Sequence, residues 1–199
     1  MKTVFKTIGI ALLVATHTCE ASTLLTFDEL ATPEQLPTSH YGPITNGYGG
    51  LSWNNFGVLD GSLRPANEGY HAGMVSPNNV AFNFYGEPAS ISVPSGTFDL
   101  ESAYLTFALN LDDPLTVRVQ GLFGGTVLYD NAWTVYRTAP TLVNFGYAGI
   151  DQVKFISSPV QQFAMDNLVV MIPEPRVGML MLGAACCCVA GLKHRFTKG

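Results

Sequence analysis

Two consecutive runs, residues 102–109 and 115–120, place their larger apolar side chains at every second position, and this limits the fold more than any other feature. Leu105, Phe107 and Leu109 fall on one side of an extended segment, with Tyr104, Thr106 and Ala108 on the other. Leu115, Val117 and Val119 then alternate with Thr116, Arg118 and Gln120. A period of two belongs to a strand with one face turned to a core. Gly124-Gly125 joins this run to residues 126–129. Two glycines between two such runs signal a tight hairpin, because both central positions of its turn need positive φ.

The same reading predicts strands over residues 23–27, 79–84, 89–93, 141–145, 152–156, 162–165 and 168–172. The inward register slips between Met165 and Leu168, which predicts a bulge at Asp166-Asn167. Many short strands separated by Gly, Pro and Asn turns, with no helix of any length, specify an all-β fold. The expected architecture is an antiparallel β-sandwich of jelly-roll type. Residues 31–76 are rich in Gly, Asn, Pro and aromatics without clear periodicity, and are expected to form loops over one end or face.

Both ends of the chain differ from this body. Lys2 and Lys6 precede an apolar run from Ile8 to Ala15, followed by small and polar residues to Ser22. That order is a secretory signal peptide, residues 1–21, with cleavage expected after Ala21. At the other end, Pro173-Glu174-Pro175 is followed by the uncharged stretch 177–192 and by Lys193, Arg195 and Lys198. As a helix, that stretch reaches about 24 Å, short for a hydrocarbon core of about 30 Å. It is apolar all round and ends in positive charge, the pattern of a membrane span with a cytoplasmic flank. The exported body is then residues 22–172.

Pro173-Glu174-Pro175, a short apolar span and a basic end together resemble the PEP-CTERM sorting signal of Gram-negative surface proteins. Arg176 departs from the pattern, since a small or polar residue is more usual beside the motif. The resemblance implies an exosortase as partner, which cleaves near the motif outside the cytoplasmic membrane. It further implies transient anchoring in the inner membrane, then release to the cell surface or extracellular matrix beside exopolysaccharide. The body also resembles the globular domains that such proteins carry, in Phe27-Asp28, residues 48–56, 79–83, 147–151 and 163–168. Those domains are similar in outline to carbohydrate-binding, galactose-binding-like jelly rolls whose first and last strands hold a structural calcium ion. Carried to this chain, the resemblance makes Asp28, Glu29 and Asp166 the calcium ligands, with backbone carbonyls completing a shell of oxygens. The alternative is that Asp28 and Asp166 only end strands and cap turns.

Flat apolar faces suit sugar rings, and Tyr48, Trp53 and Tyr70 are candidates, with Tyr41, Phe56 and Tyr85 beside them. Asn54 and Asn55, then Asp60, Asn67 and Glu68, supply hydrogen-bonding partners for hydroxyl groups. Against this, a lone tryptophan is more often packed inside than used as a platform.

Charge and residue chemistry narrow the classes further. The body holds Arg64, Arg118, Arg137 and Lys154 against thirteen Asp and Glu, a net charge of −9. Such a balance disfavours nucleic acid, whose phosphates need a basic patch. The body has no cysteine and two histidines, His40 and His71, and no G-x-S-x-G elbow surrounds a serine. These absences disfavour Cys nucleophiles, His-rich metal catalysis and an α/β-hydrolase serine. Asp99 and Glu101, two apart on one strand face, are the one pair that imitates a glycosidase. The expected protein is an exported, non-catalytic surface or extracellular-matrix protein held transiently by its C-terminal signal, for which the resemblance implies a role in binding or structuring exopolysaccharide. The alternatives are a jelly-roll hydrolase and an adhesion domain that keeps its C-terminal anchor.

Overall fold

The computed structural model describes residues 22–30, 41–111 and 114–173. These belong to one compact unit, Glu20–Pro173. The expected signal peptide lies outside the described residues, as do Glu174, Pro175, the span 177–192 and Lys193, Arg195 and Lys198. Of the sorting tripeptide only Pro173 is described, and it is exposed.

Among the described residues, twelve strands form two antiparallel sheets, as the alternation requires. They are β1 (Ser22–Leu25), β2 (Tyr41–Pro43), β3 (Ser52–Asn54), β4 (Phe56–Asp60), β5 (Asn79–Asn83) and β6 (Ala89–Ser92). There follow β7 (Phe98–Phe107), β8 (Leu115–Phe123), β9 (Thr126–Val135), β10 (Thr141–Ile150), β11 (Gln152–Ser158) and β12 (Phe163–Met171). One sheet runs β10-β7-β12-β5-β4-β2, with β1 also on β12, and the other runs β3-β6-β11-β8-β9. The single α-helix among the described residues is α1 (Gly69–Ala72), one turn long. No helix among them is long and apolar enough to cross a membrane.

The main core fills the space between the sheets. Leu105, Phe107, Leu115, Val117 and Val119 all point into it, with the phase expected from their spacing. Phe56, Phe145, Phe155 and Phe163 meet there mostly edge to face, with centroids 5.7–6.2 Å apart. Each fully buried large side chain of this kind stabilises the fold by about 1.5–3 kcal/mol before chain entropy is counted. Gly124 and Gly125, at φ 56° and 79°, turn β8 into β9 as the hairpin signal predicted. Along β12 the pairing with β7 shifts between Asp166 and Val169, where Asn167 takes φ 50°, so the expected bulge is present.

The structure corrects the reading of residues 31–76 as loops. That stretch holds β2, β3, β4 and α1. The strands were hidden by length: β2 and β3 are three residues each, too short for an alternation to register. In β4, Val58 enters the main core while its neighbour Leu59 enters a second one on the opposite face. A strand buried on both sides shows no alternation.

Candidate functional site

On the outer face of the larger sheet, Leu59, Val80, Phe82, Ala108 and Ala164 point away from the main core. The excursion between β4 and β5, residues 61–78, folds back over them and contributes Tyr70 and Met74 to a second, smaller core. Absent side chains permit the close approach. The Gly69 N–H donates to the Ala108 carbonyl at 2.9 Å, and a Cβ at Gly69 would lie 1.7 Å from the Phe107 carbonyl oxygen. On β4, a Cβ at Gly57 would come within 2.7–2.8 Å of the Phe84 and Phe82 rings. Beside the excursion an open cleft of about 270 Å³ remains, bounded by Tyr41 on β2, Leu59, Phe82, the 84–85 turn, Arg64, Tyr70, Leu109 and Gln162.

Aromatic rings form the floor and the rim of this cleft. Phe82 lies edge-on to Tyr41 and Tyr70, both at 5.8 Å, and to Phe84 at 5.0 Å. Tyr41 is 42% exposed and Tyr85 82%. Tyr85 also holds φ 59°, ψ 11°, the left-handed region that a bulky side chain enters at a cost of about 1–2 kcal/mol. In this conformation the ring stands in solvent at the mouth of the aromatic cleft. Strained backbone of this kind clusters at ligand sites.

The polar groups of the cleft are few and fixed. The Tyr70 hydroxyl donates to Gln162 Oε1 at 2.8 Å, and Gln162 Nε2 donates to the Asn83 carbonyl at 3.3 Å. Burial pushes the Tyr70 phenol well above its ordinary range, so it stays protonated and remains a donor. The Arg64 guanidinium lies over the Tyr70 ring, 5.4 Å from its centroid, within the reach of a cation–π contact. Its Nε and Nη2 both donate to Glu68 Oε2, at 2.9 and 2.8 Å.

The aromatic candidates divide between cleft and core. Tyr41, Tyr70 and Tyr85 come together at the cleft. Trp53 and Phe56 are buried, 7% and 2% exposed, and belong to the main core. Trp53 Nε1 donates to the Tyr48 carbonyl at 3.0 Å, and the two rings pack with Phe27. Tyr48 is half-buried, and its hydroxyl accepts the Phe27 N–H at 3.0 Å. Asn54 is exposed on β3. Asn55 Nδ2 donates to the carbonyls of Phe84, Glu87 and Pro88, so this side chain anchors the turn that carries Tyr85. Asp60 caps the turn after β4 by accepting from the Ser62 N–H at 2.8 Å. The Asn67 carbonyl accepts from Arg137.

The three carboxylates of the calcium reading point to separate tasks. Asp166 is fully buried, and its oxygens accept from the N–H groups of Val75, Ser76 and Asn167 at 2.7, 2.9 and 2.7 Å and from Ser76 Oγ at 3.1 Å. Asp28 Oδ1 accepts the Asn79 N–H at 2.9 Å, while Glu29 is exposed and accepts from Thr26 Oγ1 at 3.3 Å. The carbonyls of Phe27 and Leu30, natural ion ligands, accept from Asn79 Nδ2 at 3.0 and 2.9 Å. Among the described residues no group of three or more His, Cys, Asp and Glu is placed to hold a metal ion. Asp28 and Asp166 thus make long-range hydrogen bonds to the segment around β5, Asp28 to Asn79 and Asp166 to Val75 and Ser76.

Asp99 and Glu101 lie on β7 where Phe98, Leu100 and Ala103 take the core positions. Asp99 Oδ1 accepts the Gly149 N–H at 2.7 Å, and neither carboxylate borders the cleft.

Six cleft residues were not among the site candidates read from the sequence: Leu59, Arg64, Phe82, Phe84, Leu109 and Gln162. A signal for Phe82 was present. Residues 80–82 are apolar without alternation, which marks a strand covered on both faces. Arg64 and Gln162 stand in irregular stretches and carry no local signal.

No family model matches the chain, and no curated protein does. Solved structures do resemble it. The CBM22-1 xylan-binding domain of Paenibacillus barcinonensis Xyn10C aligns at 13% identity and a TM-score of 0.47, over 81% of this chain and 100% of its own. The CBM22-1–GH10 modules of Clostridium thermocellum Xyn10B, complexed with xylohexaose, align at 10% identity and a TM-score of 0.37, over 69% of this chain and 28% of theirs. TmCBM61, in complex with β-1,4-galactotriose, aligns at 8% identity and a TM-score of 0.32, over 75% of this chain and 99% of its own.

Proposed function

We propose that this protein is an exported, non-catalytic carbohydrate-binding module with a sandwich of jelly-roll type. Its cleft on the outer face of the larger sheet takes part of a polysaccharide chain. The observation that carries the reading is the exposed, strained Tyr85 facing a cleft floored by Phe82 and Tyr70 and flanked by Tyr41. Sugar C–H faces stack on such rings, and the fixed Tyr70–Gln162 pair and Arg64 orient the hydroxyl groups. Sites that bind sugars commonly combine rigid aromatics with a few polar groups in this way.

The termini support an address to go with this role. The N-terminal signal peptide would export the chain, and the PEP-CTERM-like end would hold it in the inner membrane until an exosortase processed it. The module would then reach the surface or matrix, where polysaccharide is the available ligand. The intact mass of protein recovered from the producing cells tests the address: a mature form retaining 177–199 would sink exosortase processing.

The cleft reading is tested with the full-length protein in a non-ionic detergent that carries no sugar, by affinity electrophoresis through gels containing soluble polysaccharides. Retardation is expected in at least one neutral gel. Tyr85→Ala should weaken it roughly tenfold, a loss of about 1.4 kcal/mol. Retardation that survives both Tyr85→Ala and Tyr41→Ala would move any sugar site away from this cleft.

A further inference from the structure

Resting on the carbohydrate reading above, we infer that the cleft selects uncharged sugars and rejects uronate-bearing ones, and that Glu68 is the residue that sets this selectivity. Among the described residues lining the cleft, Arg64 is the one side chain with a full charge. A carboxylated sugar would be drawn to it. Glu68 holds that position first: its Oε2 accepts from both Nε and Nη2 of Arg64, at 2.9 and 2.8 Å, and its side chain is 18% exposed against 39% for Arg64. A uronate approaching the guanidinium therefore meets a second, less solvated carboxylate beside it, and two like charges around one cation repel. Arg64 is further held over the Tyr70 ring, which limits its freedom to swing towards an acidic ligand.

The rest of the lining gives a carboxylate no second cation. Tyr41, Tyr70, Tyr85 and Gln162 are neutral. Gln162 has its amide on the Asn83 carbonyl and its oxygen on the Tyr70 hydroxyl. Beyond the cleft, the body carries four basic residues against thirteen acidic ones, so its long-range field repels polyanions as well. An uncharged sugar meets none of these penalties. It gains stacking on Tyr85 and Tyr41 and hydrogen bonds to the Arg64 hydrogens that Glu68 leaves unused. Glu68 touches no sugar in this scheme. It acts through Arg64, as a specificity residue.

The test uses β-1,4-glucan and β-1,4-galactan fragments and the same fragments oxidised at the primary hydroxyl to uronates. Binding is measured by calorimetry on the full-length protein in sugar-free detergent, at low and high salt. The neutral form should bind at least tenfold more tightly than its oxidised counterpart, with little salt dependence. Glu68→Gln should raise affinity for the oxidised fragments about tenfold at low salt and leave neutral binding within a factor of about two. A merely structural Glu68 would instead lower both affinities together. Oxidised fragments binding the native protein as tightly as neutral ones, with loss on Tyr85→Ala, would overturn the selectivity and leave the carbohydrate reading standing. No Tyr85-dependent binding of either class would overturn that reading, and this inference with it.

Discussion

The Tyr70 hydroxyl and Gln162 Oε1, ninety-two positions apart, meet at 2.8 Å and join the excursion over the larger sheet to the loop before β12. Neither residue is in a regular strand, and each depends on the other for its place. Tyr70→Phe keeps the ring and its edge-on contact with Phe82 but deprives Gln162 of its donor. A hydrogen bond of this kind contributes about 1 kcal/mol. Urea unfolding of the full-length protein should show a lower midpoint with an unchanged slope. Because Gln162 borders an open cleft and can turn to water, a loss above about 3 kcal/mol would mean that Tyr70 holds more than this bond.

Gly69 sets how closely the excursion lies against the end of β7. No side chain can be added there without moving α1, since the nearest obstacle is the Phe107 carbonyl and not a flexible side chain. Gly69→Ala should destabilise the protein by about 1–3 kcal/mol, the range for overpacked sites. On the proposed function it should also abolish the retardation by polysaccharide gels, because the displaced helix carries Tyr70 out of register with Gln162. Native stability in this variant would show that the excursion can ride up off β7 at no cost.

The acidic limb of the stability curve should report Asp130. Its carboxylate accepts from Arg118, in a bidentate pair, and from Gln120 Nε2 at 3.0 Å. The hydrogen bonds from Arg118, then the one from Gln120, hold its pKa down to about 2. A depressed carboxylate contributes stability above the ordinary carboxylate range and loses it as pH falls through its folded value. The contribution should therefore fade between about pH 4 and pH 2. Carbon-13 NMR of the side-chain carboxyl should give a midpoint near 2 that rises towards the ordinary value in Arg118→Ala. High salt should move it the same way, since the pair is solvent-exposed.

Much of this structure could be read from residues alone, and the parts that could not share a physical cause. The β8–β9 hairpin, the Asp166-Asn167 bulge and the inward phase of β7 are consequences of period-two alternation and of two adjacent glycines. Those are local signals. The cleft is not local. It exists because β4, β5 and β12 turn apolar side chains outward as well as inward, and because the excursion covers only part of that face. Tyr41, Tyr70 and Tyr85 were legible as sugar-stacking candidates, but so were Tyr48, Trp53 and Phe56, which lie in or against the main core. Composition cannot separate a ring on the rim from a ring inside. Arg64 acquires its role from Glu68, four positions on, and from Tyr70, while Gln162 acquires its role only when the chain brings it to Tyr70.

Asp166 gives the strongest test of how the excursion is held. Its buried carboxylate accepts the N–H groups of Val75 and Ser76 and the Ser76 hydroxyl, thereby fastening the end of the excursion to β12. Burial pushes its pKa up, and the N–H and hydroxyl donors offset only part of that rise. A raised folded value means that the native state takes up the proton more readily than the unfolded chain. The corresponding stability is fully present below the ordinary carboxylate range, near pH 4, and is lost as pH rises through the folded value. Asp166→Asn keeps an acceptor for the Val75 and Ser76 donors and removes the titration. Its stability relative to the native protein should therefore improve as pH rises from about 4 towards neutrality. Asp166→Ala leaves those donors unmatched under a buried face and should cost about 3 kcal/mol. Parallel pH profiles for the native protein and Asp166→Asn would show that the carboxyl takes up its proton alike in the folded and unfolded chains, its hydrogen bonds fully offsetting its burial.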